Sequence, residues 1–136
     1  MTFSNTLLDH ARNPRNVGLI ENPDGLGTLG DPSCGDFVRM TVRVRDGYVV
    51  DVRFLVKGCS AAIAACSMAT ELVKGKTLRE AAWLTDADVA VALDGMPEEK
   101  LHCADLAATA LQNALMDYID RHNVDLHDWQ SLFGIS

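Results

Sequence analysis

Hydrophobic and polar positions change period several times along the chain, and each change marks an element. Residues 4–11 read as a short helix, ended by Asn13-Pro14-Arg15-Asn16, because proline disfavours helix in the residue before it and brings no amide hydrogen. Residues 18–36 hold Gly18, Gly25, Gly27, Gly30 and Gly35 with Pro23 and Pro32, and read as a turn-rich segment without periodicity. Its length makes it a candidate for function. From Val38 the period becomes two. Val38, Met40, Val42 and Val44 alternate with Arg39, Thr41, Arg43 and Arg45, as on a half-buried strand. Asp46-Gly47 is a two-residue hairpin turn, and Val50, Val52, Phe54 and Val56 resume the alternation on an antiparallel partner.

The second half is helical. Residues 60–74 are alanine-rich and close-packing, with Gly75 placed as a left-handed terminator. Thr77 with Glu80 resembles a capping box for a helix through Leu84, and Thr85 starts another that reaches Leu93 before Gly95 and Pro97. Over residues 103–121, Leu106/Ala107, Ala110/Leu111, Ala114/Leu115 and Tyr118/Ile119 form one apolar stripe that should pack across the sheet. Leu126, Trp129, Leu132 and Phe133 suit a short amphipathic tail helix within residues 122–136.

With 136 residues, 48% of them hydrophobic, the chain suits one compact domain over 1–136, since this length buries roughly two thirds of its unfolded surface. A net charge of -7 and a pI near 4.9 argue against nucleic acid as partner, which calls for a clustered basic face. No stretch approaches the roughly 20 apolar residues of a membrane span, and Met1-Thr2-Phe3-Ser4 does not begin a secretion signal, so the expected location is the cytoplasm. There, Cys34, Cys59, Cys66 and Cys103 are expected as thiols, ligands or nucleophiles rather than disulfides.

Three of these cysteines fall at junctions: Cys34 in the loop before the hairpin, Cys59 just after it, and Cys103 at the start of the long helix. Ligands sit where the backbone turns and side chains can converge, whereas packing cysteines fall within apolar faces. Cys66 is seven residues past Cys59, about 10 Å further along a helix, and reads as a core residue. The spacings contain no C-x-x-C pair of the structural-zinc type. Asp36 and His102 add a hard oxygen and a borderline nitrogen to three soft sulfurs, which suits a four-coordinate site with an exchangeable fourth position. His10, His122 and His127 read as surface or locally bonded groups, Trp83 and Trp129 as packing residues, and Arg39, Arg43 and Arg45 as a solvated face.

The segments carrying these residues resemble the IscU and NifU family of iron-sulfur cluster assembly scaffolds. The matching blocks, in order, are Asp9-His10 through Asn13-Pro14-Arg15-Asn16-Val17-Gly18, Pro32-Ser33-Cys34-Gly35-Asp36, Lys57-Gly58-Cys59-Ser60-Ala61-Ala62-Ile63-Ala64, Met68 to Lys76, and Lys100-Leu101-His102-Cys103. The resemblance covers about residues 5–121. It implies an α+β fold with a small, mainly antiparallel three-stranded sheet and helices packed on one face.

It also implies a scaffold and sulfur acceptor rather than a turnover enzyme, assembling a transient [2Fe-2S] cluster for transfer to recipient apo-proteins. Carried over by position, the ligands of iron or cluster are Cys34, Asp36, Cys59, His102 and Cys103. The implied partners are a cysteine desulfurase and electron and iron donors of the ferredoxin and frataxin-like kinds. Cys103 is the expected persulfide acceptor, since a helix start and a neighbouring imidazole both favour thiolate. Met96-Pro97-Glu98-Glu99-Lys100 stands where the family has a Leu-Pro-Pro-Val-Lys-like stretch read by an Hsp70-type chaperone; two acidic residues replace proline and valine, which leaves that partner open. No insertion precedes Cys103 and His102 is present, unlike the SufU branch, which points to the IscU-like branch. The alternatives are a zinc-binding structural domain on the same ligands, a sulfur-accepting domain, and an enzyme pairing Cys103 with His102. Adjacent helical residues point about 100° apart, which disfavours that pair.

Overall fold

The computed structural model describes residues 3–30, 33 and 35–122. Helix α1 (Asn5–Arg12) begins at Ser4, whose hydroxyl accepts from the Leu7 amide, and stops at Asn13 before Pro14. Strands β1 (Gly25–Gly30), β2 (Phe37–Arg45) and β3 (Tyr48–Lys57) form an antiparallel sheet in the order β1-β2-β3. Asp46 and Gly47, with φ of 54° and 80°, make the tight turn between β2 and β3. Helices α2 (Ser60–Val73) and α5 (Leu101–Arg121) cover one face of the sheet, with α1 packed on α2. Between them come α3 (Leu78–Ala82), α4 (Asp86–Ala92) and a single 3-10 turn at Glu98–Lys100. Thr77 and Thr85 each open their helix with a complete capping box, closed by Glu80 and Asp88.

The α+β class and the three-stranded sheet agree with expectation, but four local readings change. Residues 25–30 are a strand, not an aperiodic turn. Gly25 and Gly27 disguise it because they are there for the helix behind: a Cβ on Gly25 would lie 2.2 Å from the Ala114 carbonyl oxygen, and one on Gly27 2.3 Å from that of Ala110. Only glycine lets α5 lie that close to β1. Val50 is exposed and Val49 fills the core, because a bulge opposite Arg43/Val44 inserts one residue and flips the alternation. Thr41 is buried on the outer face, where the chain after α1 crosses: the Ile20 amide donates to its hydroxyl, and Arg43 donates to the carbonyls of Glu21 and Asn22. Helix α5 starts at Leu101, two residues early.

The core is built from Val38, Met40, Val42, Val52 and Phe54 of the sheet against the small residues of α2 and α5. Each helix buries five alanines, small side chains that let it lie near its neighbours and the sheet. His10 is not at the surface: it is buried, with Nδ1 2.7 Å from the Ser67 hydroxyl, which also accepts from the Arg15 amide. Trp83, read as packing, is 64% exposed. Arg43 and Arg45 are held by Asp24 rather than merely solvated. His122 is exposed and meets the Tyr118 carbonyl, one turn back. The proposed tail helix, with Trp129 and His127, lies outside the described residues. Among the described residues no helix is long and apolar enough to cross a membrane.

Candidate functional site

Two helix starts meet at one end of the sheet. β3 ends at Lys57, and after Gly58 the chain turns so that Cys59 occupies the N-cap of α2. Cys103 sits in the first turn of α5, reached from the 3-10 turn that follows the buried Pro97. The two sulfurs are 3.8 Å apart. They share no disulfide, and a metal-bridging distance of this kind leaves room for both thiolates on one centre.

His102 and Asp36 continue the chain of donors. His102 Nε2 is 3.6 Å from Cys103 Sγ and 4.0 Å from Asp36 Oδ2. Both side chains are open to solvent, at 61% and 44% exposure. Asp36 leans over Gly58, where an added Cβ would meet its Oδ1 at 3.2 Å and the Ala62 Cβ at 3.1 Å. The loop end that carries Asp36 is pinned by Gly30, at φ 84°, where an added Cβ would lie 2.0 Å from the Asp36 carbonyl oxygen. The four groups form an arc, Asp36, His102, Cys103, Cys59. Among the described residues no three His, Cys, Asp or Glu groups already converge on one point as a closed metal site. Cys34 lies outside the described residues.

Lys100, not singled out from sequence as part of the site, places Nζ 3.8 Å from Cys59 Sγ. The only sequence signal for it is its position just before Leu101-His102-Cys103, at the N-cap of α5. Partial burial works against ionisation of Cys59. The Ala62 amide, the Cys103 thiol, the Ala61 amide and the Lys100 ammonium outweigh it, so the Cys59 thiol lies below its ordinary value.

Cys103 behaves in the opposite way, which corrects the expected acidification at a helix start. It is fully buried, and burial first, then the nearby Cys59 sulfur, pushes its thiol up to about 12, against which Lys100 pulls only partly. Desolvation of the thiolate, reinforced by the Cys59 sulfur, outweighs the pull of Lys100. Cys66 lies inside α2, buried, with burial and the Cys103 charge raising its thiol to about 12. It is a core residue, apart from the arc.

Soft sulfurs beside an exposed carboxylate and imidazole suit iron, zinc or an iron-sulfur cluster better than a hard cation. Residues 2–125 match the family described as NifU-like N terminal domain. The iron-sulfur cluster assembly scaffold protein IscU 1 of Archaeoglobus fulgidus is 49% identical over 120 residues, covering 88% of this chain and 78% of that protein. The scaffold protein IscU of Escherichia coli K12 is 43% identical over 122 residues, covering 87% of this chain and 94% of that protein. A crystal structure from Fervidobacterium islandicum superimposes with a TM-score of 0.65 at 22% identity, covering 83% of this chain and 96% of that one, and so shares the fold. By the extent of the match and by these identities, the chain belongs to the family of NifU-like N-terminal domains.

Proposed function

We propose that this chain is a scaffold on which an iron-sulfur cluster is assembled and from which it is passed on, with the cluster as cargo rather than resident cofactor. The observation that carries the reading is the arc in which Cys59 and Cys103, 3.8 Å apart, are continued by His102 and Asp36. Cys34, two residues before Asp36 in sequence, supplies the third thiolate in this reading. Three thiolates with Asp36 or His102 hold a [2Fe-2S] cluster less firmly than four thiolates, since such clusters favour soft sulfur. A weak fourth ligand that is open to solvent gives a recipient apo-protein a place to begin ligand exchange. A permanent structural zinc site would be closed instead, so zinc fits here as an occupant of the isolated protein.

Sulfur arrives as a persulfide on a cysteine desulfurase. The Cys103 thiolate attacks the outer sulfur, the persulfide S–S bond breaks, and the desulfurase thiolate leaves. An electron donor of the ferredoxin kind reduces that sulfur to sulfide, which ferrous iron from a frataxin-like donor binds. Because Cys103 is buried and its thiol is pushed up, acceptance requires the docked desulfurase to open the turn at Lys100–Cys103. Glu98 and Glu99 are exposed on that turn, where an Hsp70-type chaperone would have to read two acidic side chains. The relatives are named scaffold proteins, and nothing in this scheme is a turnover reaction of the chain itself.

The test is anaerobic reconstitution with ferrous iron, cysteine and a cysteine desulfurase, followed by visible absorption and Mössbauer spectroscopy. A transferable cluster is expected in the wild type and in Cys66→Ala, and its loss in the alanine variants of Cys34, Cys59 and Cys103. Absence of any cluster while zinc stays bound would replace the scaffold reading with the structural-zinc one.

A further inference from the structure

An apolar groove of about 480 Å³ opens where the C-terminal end of α2 meets α3 and α4. Leu72, Val73, Trp83, Leu84 and Val91 line it. Trp83 and Val91 stand 64% and 75% exposed, although large apolar side chains on adjoining helices normally find cover. α2 carries Cys59 at its other end, so its 14 residues set the groove about 20 Å from the arc. The groove is open along the surface rather than enclosed, a shape that takes the face of a helix better than a small ligand.

The charge around it is mostly negative. Among the described residues that line it, Lys76 is the one cation, against the carboxylates of Glu80 and Asp88. Glu80 closes the Thr77 capping box through Oε1 and Asp88 the Thr85 box through Oδ2, so the boxes occupy one oxygen of each carboxylate. The helix ends add to this. Leu72 and Val73 close α2, Val91 and Ala92 close α4, and neither helix has a basic residue in its last turn. Lys74, the residue after α2, is turned to Asp51 and Asn16 instead. The negative poles of both helices thus border the groove without a cation of their own to balance them. A second copy of this chain would bring the same negative lining and a net charge of -7 to the contact, which sets like against like.

We propose that the groove between α2, α3 and α4 docks a basic amphipathic helix of another protein. Bulky apolar side chains of that helix cover Trp83, Leu84 and Val91, and its lysines or arginines face Glu80, Asp88 and the end of α2. A helix held in this way presents apolar anchors at i, i+3, i+4 and i+7, while the flanking charges set its orientation and speed the encounter. Because the groove lies at the opposite end of α2 from Cys59, a partner docked there leaves the arc free for ligand exchange.

The chain has two tryptophans, Trp83 and Trp129, so Trp129→Phe leaves Trp83 as sole reporter. The probe is a synthetic helix of about four turns with leucine on one face and lysine on the other, and its control carries glutamate in place of lysine. In metal-free Trp129→Phe protein, the lysine peptide should blue-shift Trp83 emission and shield it from acrylamide, and the glutamate peptide should do neither. Adding Glu80→Gln and Asp88→Asn removes both charges but keeps side chains that can accept from the cap amides, and should weaken the lysine peptide about fivefold. Val91→Ser, at an exposed position, should also weaken it by removing an apolar contact, with far-UV circular dichroism showing each variant still folded. Equal binding of the two peptides overturns the proposal. So does lysine-peptide binding that leaves Trp83 exposed or is untouched by these variants, which would place it elsewhere on an acidic surface. Trp83 shielding that grows with protein concentration in the absence of peptide would overturn it too, by making the cover a second copy. The measurement is blind to cluster assembly, so its outcome is separate from that of the scaffold reading.

Discussion

Replacing Gly27 by alanine probes the contact on which the placement of Cys103 depends. The new Cβ would stand 2.3 Å from the Ala110 oxygen, 2.5 Å from the Ala114 nitrogen and 3.0 Å from the Asn113 carbonyl carbon, all backbone atoms of α5. Ordinary contact begins at 3.4 Å, so the helix must retreat by about 1 Å. No flexible side chain can turn aside to absorb it. Overpacking of this kind costs about 1–3 kcal/mol, and the rigid partner argues for the upper end. The reduced freedom of the unfolded chain returns about 0.4–1 kcal/mol. The net loss is about 2 kcal/mol, equivalent to a fall in melting temperature of about 7 °C for a chain of this length. Thermal and urea unfolding followed by circular dichroism would measure it. Thr28→Val, exposed on the opposite face of the same strand, should stay within about 0.5 kcal/mol of wild type. If Gly27→Ala also stays within that range, α5 does not rest on the β1 backbone as described. The same variant should lower the yield of reconstituted cluster, since the retreat carries Cys103 away from Cys59.

Two further outcomes follow from the charges. Burial alone would raise the Asp24 carboxyl, but the Val44 amide at 2.9 Å, then Arg45 at 2.7 Å and Arg43, outweigh it, so the folded value lies below the ordinary one. Such a group stabilises fully above the unfolded value of about 3.9 and loses that contribution as the pH falls through the lower folded value. Asp24→Asn should therefore be less stable by about 1–2 kcal/mol from pH 5 to 8 by urea titration, with the gap closing below about pH 4; a gap constant down to pH 3 would contradict it. In metal-free Cys34→Ser protein at neutral pH, iodoacetamide should alkylate Cys59 before Cys66 and Cys103, as mass spectrometry of the digest would show. Equal rates at Cys59 and Cys103 would contradict the opposite environments of the two thiols.

Much of the fold was legible because local signals and packing agreed. The Asp46-Gly47 turn, the Thr77 and Thr85 boxes and the Gly75 stop each act within four residues, so neighbours in sequence decide them. β1 was not legible for the opposite reason. Gly25-Leu26-Gly27 has no strand-like pattern until α5, nearly ninety residues on, is known to lie against it. Val49 and Val50 exchange faces through a bulge that both sequence alternations conceal. His10 and Thr41 are polar residues whose cover arrives from distant segments, as Ser67 and Ile20 show.

In the site, sequence order named the junctions but not the environments. Cys59 and Cys103 both stand at helix starts, so a dipole argument treats them alike, yet burial raises the thiol of the enclosed Cys103, reinforced by Cys59, while at Cys59 burial is outweighed by the Ala62 amide, Cys103, the Ala61 amide and Lys100, which lower the thiol. That enclosure has the same origin as the hidden strand. Alanines along α2 and α5 and glycines along β1 bring three backbones together, and the tight approach sets both the short sulfur-to-sulfur distance and the loss of solvent around Cys103. The two properties are coupled. Any change that loosens α5 to expose Cys103 for sulfur acceptance also lengthens the Cys59–Cys103 distance, and any ligand that draws the sulfurs together buries Cys103 again. If Cys103 accepts sulfur as proposed, acceptance and closure over a cluster call for two positions of the α5 start, which carries His102 with it, while the exposed Asp36 belongs to a separate loop end.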